Sequence, residues 1–334
     1  MHVDVHQHLW PPAFTALLRA RTTAPYLDGW TLHLRGEPPY EVDPADHDIA
    51  ARTALARADG LGLALVSLSS PLGIEYLPPA EADPLLAAFH DGALALPAPF
   101  GVWASAGLVA PDPEVLARAL DRGCVGLQLP ATALQDEAGW AHCTPLLDAL
   151  SRAGRPLFVH PGAAPPGGPG TPPWWPALVP YVQQLHASWF AFRAFGRPRH
   201  PGLRVCFAAL AGLAPLHGER LAARGGGRGA GDRDVFYETS SYGTRAVDSL
   251  VRVVGIDGVV NGSDRPYARP ATHHHPPNEA LRATPLDPAT HHHPSNKPPR
   301  TAPPGPVTPD LGAEAALHAL RATNPARLLN GATP

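Results

Sequence analysis

Two histidines separated by one residue stand near the start of the chain, at the end of an alternating apolar segment. The segment reads Val3-Asp-Val-His-Gln-His8, and its alternation predicts a β-strand over residues 2–8. Side chains two residues apart in a strand point to the same face, so His6 and His8 should project together. Two imidazoles on one rigid element are typical of half of a metal site. For the pair taken alone, an ordinary polar strand end is the alternative interpretation.

Two further side chains with ligand chemistry end later apolar segments. His160 closes the segment Pro156-Leu-Phe-Val-His160, and Asp264 follows the segment predicted as a strand at 258–263. Each residue alone could instead cap a loop. Three neutral imidazoles and one carboxylate, however, form a tetrahedral or five-coordinate site with room for water. The pattern therefore predicts one divalent metal ion, with zinc expected and manganese or cobalt as alternatives.

The lysine content limits the chemistry of such a site. Lys297 is the only lysine in the sequence, and it lies in a Pro-rich stretch. A Schiff-base mechanism needs a lysine in a buried pocket, and so does a carbamylated lysine that bridges two metals. We therefore expect neither chemistry.

The elements that must position these residues are short apolar segments alternating with longer amphipathic ones, which indicates parallel βα units. Asp43, Asp112 and Thr144 each precede a proline and are predicted helix N-caps. The sequence predicts a (β/α)8 TIM-type barrel, whose sites gather at the carboxyl ends of the strands. The alternative is an open doubly wound sheet, but no Gly-rich phosphate fingerprint follows the first strand. The predicted strands are 2–8, 63–70, 99–108, 124–130, 156–160, 203–210, 234–241 and 258–263, and the predicted helices are 44–59, 81–95, 112–121, 143–153, 177–195, 215–224, 243–254 and 312–322.

Two segments depart from the repeat within what we predict to be a single domain, 1–334. Residues 9–43 form an insertion after the first strand that could cap the barrel mouth. Residues 268–311 are rich in proline and contain a duplicated unit with three consecutive histidines in each copy. This composition predicts disorder. The histidine tracts could bind metal weakly, although expansion of a surface loop is the simpler interpretation.

Composition restricts the partners and the compartment. The net charge is −3 and no basic stripe is present, so nucleic acid is not expected as a partner. Three widely spaced cysteines fit a reducing compartment. Neither a signal segment nor a membrane-spanning apolar run is apparent. We expect a cytoplasmic protein with a small-molecule substrate, with a homodimer as an option.

The motifs resemble those of the amidohydrolase-related family, in the branch that contains aminocarboxymuconate-semialdehyde decarboxylase and related metal-dependent hydrolases. The resemblance implies a metal-dependent barrel enzyme with His6, His8, His160 and Asp264 as metal ligands. The matching stretches are Val3-Asp-Val-His-Gln-His8, Leu157-Phe-Val-His-Pro161, Phe236-Tyr-Glu-Thr-Ser-Ser241, Gly262-Ser-Asp-Arg-Pro266 and Asn324-Pro-Ala-Arg-Leu-Leu329.

The sequence departs from the family pattern in two predicted strands. Gln128 stands in the fourth strand where binuclear relatives would place a bridging lysine, which favours one metal. Ala209 stands in the sixth strand where the family usually has a histidine, implied in the decarboxylases to act as an acid and base. His217, in the following helix, is a candidate for that role, with a solvated helix position as the alternative. Asp264 could itself accept a proton from metal-bound water.

Four residues are candidates for substrate contact. Arg265 could clamp a substrate carboxylate, with a surface ion pair as the alternative. Trp10 follows the ligand strand directly and could contact a substrate ring. Trp174 lies in a Gly/Pro-rich loop that could form a binding wall, a helix anchor or a dimer contact. Strand alternation places Glu238 inside the barrel, where a structural carboxylate paired with an arginine is equally consistent.

Three functions are compatible with these features. We favour a metal-dependent hydrolase of a small, carboxylate-bearing or cyclic substrate, with Asp264 as general base. The alternative is a non-oxidative decarboxylase, a carboxy-lyase, of an aromatic or unsaturated acid, against which Ala209 counts. A third possibility is a barrel that binds metal without catalysis.

Overall fold

Eight parallel strands close into a ring in the computed structural model, which describes residues 1–168, 170–226, 231–268 and 314–331. Within the same ranges, three short strands form a separate antiparallel sheet. The strands are β1 (His2–Gln7), β2 (Tyr26–Asp28), β3 (Thr31–His33), β4 (Tyr40–Glu41), β5 (Leu61–Val66), β6 (Phe100–Val102), β7 (Leu127–Pro130), β8 (Leu157–His160), β9 (Val205–Phe207), β10 (Val235–Glu238) and β11 (Val259–Val260).

The ring is closed by two backbone bridges between groups of paired strands. One group contains β1, β5 and β6, and the other contains β7 to β11 in chain order. A bridge between Ala104 and Leu127 joins the groups on one side, and a bridge between Gln7 and Arg265 joins them on the other. The predicted barrel is therefore confirmed. The open doubly wound sheet is wrong because such a sheet would leave its two edge strands unpaired.

Helices surround the ring and bury the outer faces of its strands, which is why the strands are apolar on both faces. All four residues of β8, for example, are buried. No helix of the described residues is long and apolar enough to cross a membrane. The α-helices are α1 (Pro12–Ala20), α2 (Ile49–Ala58), α3 (Pro79–Leu94), α4 (Pro113–Asp121), α5 (Glu137–Arg152), α6 (Trp175–Leu178), α7 (Pro180–Ala191), α8 (Arg197–Arg199), α9 (Gly218–Ala222), α10 (Thr244–Val254), α11 (Glu314–His318) and α12 (Asn324–Asn330).

The predicted helix caps differ in outcome. Asp112 caps α4 as predicted, because its carboxylate accepts hydrogen bonds from two backbone amides of the first turn. Asp43 caps a short 3-10 turn instead of the long helix predicted at 44–59, and Asp48 caps α2. Thr144 as a cap is wrong: α5 begins after Asp136, and the Thr144 hydroxyl lies inside the helix, donating to a backbone carbonyl one turn earlier.

The insertion at 9–43 folds against the carboxyl end of the barrel. It contains α1 and the sheet of β2, β3 and β4. A Cβ on Gly36 would come within 1.7 Å of the carbonyl oxygen of Ala164, so only glycine allows this close approach to the loop after β8. The insertion is thereby seated beside His160, where the predicted site lies.

Two predicted elements near the sixth barrel strand are shorter than expected. The strand predicted at 203–210 ends at Phe207, and the helix predicted at 215–224 is reduced to α9. The intervening chain turns in a left-handed conformation, which ends the strand early. The Pro/His-rich segment predicted at 268–311 lies, apart from Ala268, outside the described residues.

Candidate metal centre

Four side chains converge at the carboxyl ends of β1 and β8 and in the loop after β11. His6, His8, His160 and Asp264 each offer one ligand atom, and these atoms all lie within 4.8 Å of one another. The Nε2 atoms of His6 and His8 are 3.1 Å apart. Oδ1 of Asp264 lies 3.4 Å from Nε2 of His6 and 3.1 Å from Nε2 of His8. The structure thus brings together all four residues predicted as ligands.

Hydrogen bonds fix which nitrogen of each imidazole faces the centre. Each Nδ1 atom meets an oxygen acceptor: His6 meets Glu238 at 3.1 Å, His8 meets the carbonyl of Ser67 at 3.0 Å, and His160 meets the carbonyl of Pro161 at 2.8 Å. An acceptor at Nδ1 requires the proton there, which leaves the Nε2 lone pair for a metal. Ligands about 2.0–2.1 Å from a tetrahedral zinc ion lie roughly 3.3 Å apart. The donor set therefore fits one divalent metal ion.

The charge state of the cluster also suits a cation. Burial lowers the pKa values of His8 and His160, and the neighbouring imidazoles lower them further. Burial also lowers the pKa of His6, but the carboxylates of Asp264 and Glu238 outweigh it and raise that pKa above its usual value. Burial raises the pKa of Asp264, yet His6 and His8 hold it below its ordinary value. The cluster thus combines an ionised carboxylate with imidazoles, of which two are held neutral.

Glu238 holds His6 in place, a different role from the substrate contact expected of it. Its side chain is fully buried and accepts hydrogen bonds from Nδ1 of His6, the backbone amide of Ala209, and both the amide and the hydroxyl of Ser240. A Cβ on Gly262 would lie 2.1 Å from the carboxylate. A carboxylate so enclosed orients a ligand histidine and has no face left for a substrate.

The turn after β9 contains Ala209, the position where the resemblance seen in the sequence implies a histidine. Residues 209–213 all have φ between 45° and 61°, although only Gly212 lacks a side chain. Each non-glycine residue in this conformation costs about 1–2 kcal/mol, which burial of Leu210 and Ala211 offsets. The amide of Ala209 donates to Glu238 at 3.1 Å. The turn is thus tied to the metal centre through its backbone, and Ala209 brings no proton-bearing side chain.

Gln128 occupies the barrel interior, where its side-chain NH2 group is held by two hydrogen bonds. It is fully buried on β7, and its amide donates to the carbonyl of Leu68 at 2.7 Å and to the hydroxyl of Ser70 at 2.9 Å. Ser70 in turn donates to Glu75 at 2.5 Å. Burial raises the pKa of Glu75 to about 7. Because a neutral amide replaces lysine, the side chains present suit one metal.

Two of the residues proposed for substrate contact have their side chains bound to other residues of the protein. Trp10 is 1% exposed; its ring stacks on His47 with centroids 4.4 Å apart, and Nε1 donates to Ser69. The guanidinium of Arg265 forms an ion pair with Asp59. Arg265 therefore matches the ion-pair alternative. Trp10 is a buried residue that packs on His47 next to the ligand strand.

His217 and Trp174 lie in exposed positions. The ring of His217 packs edge-on against His186 of α7, with centroids 5.1 Å apart. Trp174 is 54% exposed, and its ring lies 5.9 Å from that of Trp175. The structure brings neither residue into the cluster of four ligand atoms.

A tyrosine that the sequence interpretation missed lies against the ligands. Tyr267 follows Asp264 by three residues, and its ring centroid is 5.3 Å from that of His8. Its hydroxyl accepts a hydrogen bond from Ser69 at 3.4 Å. Proximity in sequence to the Gly-Ser-Asp motif was the one available signal for Tyr267.

Solved structures share this architecture at low sequence identity. The 5-carboxyvanillate decarboxylase of Sphingomonas paucimobilis matches with 16% identity over 98% of both chains and a TM-score of 0.66. The chain therefore shares the barrel fold of this enzyme. The 4-oxalomesaconate hydratase of Rhodopseudomonas palustris matches with 14% identity, a TM-score of 0.61, and coverage of 98% of this chain and 95% of the other. The resemblance predicted from the motifs is thus confirmed at the level of the fold.

Manganese is bound in a further solved structure that shares this fold. The 5-carboxyvanillate decarboxylase of Novosphingobium aromaticivorans, with bound manganese, matches with 18% identity, a TM-score of 0.60, and coverage of 80% of this chain and 88% of the other. No family model and no curated protein matches the sequence.

Proposed function

We propose that the chain is a metal-dependent carboxy-lyase that removes CO2 from an aromatic or unsaturated carboxylic acid. The observation that carries the proposal is the convergence of three imidazoles and one carboxylate, whose ligand atoms lie within 4.8 Å of one another at a barrel mouth. Two of the three solved structures described above are decarboxylases of an aromatic acid, which supports this function over the hydrolase that the sequence favoured.

The metal would be held by His6, His8, His160 and Asp264. Such an ion supplies Lewis acidity, binding the substrate's oxygens and withdrawing electron density from the scissile bond. Zinc is our proposal from the donor set, and manganese and cobalt are the alternatives. The role of Glu238 is to keep His6 oriented and protonated at Nδ1.

The proposed reaction also requires a residue that donates a proton to the substrate carbon. In decarboxylation the bond to the carboxyl carbon breaks, the electron pair stays on the substrate carbon, and a proton is added there. Ala209 cannot supply that proton. We retain His217 as the proposed donor because it is the first titratable side chain after Ala209 and is exposed to solvent, so it can recover a proton from water.

The test is CO2 release from a panel of hydroxylated aromatic acids by the full chain loaded with zinc or manganese. Release that is lost in Asp264→Asn and kept in Asp248→Asn supports the proposal, because Asp248 is an aspartate of α10 that pairs with Arg252 one turn along the helix. Hydrolysis of esters, amides or lactones without CO2 release would instead favour the hydrolase. His217→Ala should lower turnover without changing metal content; full activity would remove His217 from the mechanism.

A further inference from the structure

A cluster of hydroxyl groups and one carboxylate lines the mouth above the metal centre. We call Glu37, Tyr40, Tyr181 and Tyr267 the rim. The hydroxyl of Tyr181 on α7 donates to Oε1 of Glu37 in the insertion. Tyr40 and Tyr267 are neighbours, and each phenol affects the pKa of the other. The rim therefore joins the insertion, α7 and the loop after Asp264.

Three observations place the rim next to the ligands. The Tyr267 ring lies 5.3 Å from the ring of His8. Gly36, adjacent to Glu37, is seated on Ala164 of the loop that follows β8. Partial burial raises the pKa values of Tyr40 and Tyr181, and the carboxylates of Glu37 and Asp264 raise both further. Both phenols thus lie within the electrostatic reach of Asp264.

No basic side chain is paired with the rim carboxylate, Glu37, in the described residues. Two nearby arginines are committed elsewhere: Arg265 pairs with Asp59, and Arg52 donates to Gln7 and to two backbone carbonyls. Glu37 and the phenols offer acceptor oxygens instead. A substrate group at this position gains by donating a hydrogen bond, and a second carboxylate there meets like charge.

We infer that the rim makes the site selective for acids whose second polar group is a neutral hydrogen-bond donor, such as a ring hydroxyl, over dicarboxylates. The inference rests on the proposed function, because it takes one carboxylate of the substrate to be bound at the metal centre. Glu37 is the residue that determines this selectivity, and Tyr181 is the positioning residue that holds it.

The experiment measures binding, so that it does not depend on turnover. The metal-loaded full chain is titrated by calorimetry with 3-hydroxybenzoate and isophthalate, and with 4-hydroxybenzoate and terephthalate, at mildly alkaline pH. Members of each pair differ only in a hydroxyl or a second carboxylate. We expect the hydroxy acid of at least one pair to bind about tenfold more tightly. In Glu37→Gln the ratio of the two affinities should fall from about tenfold to about one, since the amide retains an acceptor oxygen without the charge.

Two further variants control the interpretation. Glu41→Gln removes an exposed carboxylate of the same insertion, which accepts from Thr31 at 2.5 Å, and it should leave the preference unchanged. Tyr181→Phe should reduce the preference by loosening Glu37, and melting temperatures confirm that each variant is folded. A preference that persists unchanged in folded Glu37→Gln overturns the inference. Equal binding of both acids to the parent overturns it while leaving the carboxy-lyase proposal intact. Binding of neither acid also overturns it, and absence of CO2 release across the acid panel is the separate result that overturns the carboxy-lyase proposal.

Discussion

Replacement of Glu238 by glutamine tests whether the hydrogen bond to His6 supports metal binding. Oε2 accepts from His6, from the amide of Ala209 and from the hydroxyl of Ser240, while Oε1 accepts from the amide of Ser240. A glutamine has only one acceptor oxygen. Its oxygen will take the Oε2 position, where three donors meet, and its NH2 group will then face the amide of Ser240, donor against donor.

The expected loss follows from this geometry. Loss of an outer hydrogen-bond partner of a metal ligand typically lowers metal affinity roughly 10–100-fold, or about 1.4–2.7 kcal/mol. Glu238→Gln keeps an acceptor for Nδ1 of His6 but loses the negative charge, so we expect a decrease of about tenfold. Glu238→Ala leaves Nδ1 without an acceptor, and we expect a decrease of about 100-fold.

The assay is competition for zinc with a chromophoric chelator. The background is the full chain with the tract histidines 273–275 and 291–293 changed to asparagine, which removes weak sites. Glu75→Gln is the matched control, because it changes another fully buried glutamate, one that is bonded to Ser70. Circular dichroism and melting temperature verify folding. A folded Glu238→Gln protein that binds zinc within twofold of its parent would refute the orienting role.

Three other predictions concern packing, pH and the proton donor. Gly262→Ala should lower the unfolding free energy measured in urea by about 1–3 kcal/mol, since the added Cβ would lie 2.1 Å from Glu238. The control is Gly258→Ala, whose Cβ would meet nothing closer than 3.5 Å, and it should change the unfolding free energy little. Because burial raises the pKa of Glu75 from 4.5 to about 7, the folded chain keeps a proton that the unfolded chain has lost. Stability should therefore fall by up to about 3 kcal/mol as pH rises through that interval. Urea unfolding of Glu75→Gln should lack this decline, and an identical pH profile would contradict the assignment. Ala209→His should raise CO2 release about 10²-fold, since histidine tolerates the left-handed conformation there; an unchanged rate would mean that the proton arrives by another route.

Much of the barrel and its centre could be predicted from local pattern. Alternation within one strand placed His6 and His8 on the same face, and the βα repeat implied that the carboxyl ends of distant strands would meet at one mouth. That architecture alone brought His160 and Asp264 beside them. The same alternation of side chains along a strand also placed Glu238 inside the barrel. These features follow from short-range periodicity, so the sequence alone determines them.

The partners of those side chains were decided only by the tertiary structure. Arg265 pairs with Asp59, more than 200 residues away in sequence. The carboxylate of Glu238 is hydrogen-bonded to His6, whereas an arginine was the partner considered from the sequence. The close approach of Gly36 to Ala164 seats the insertion, and with it Glu37, on the loop after β8. No local pattern encodes such contacts, because they depend on how insertions and loops pack once the ring has closed.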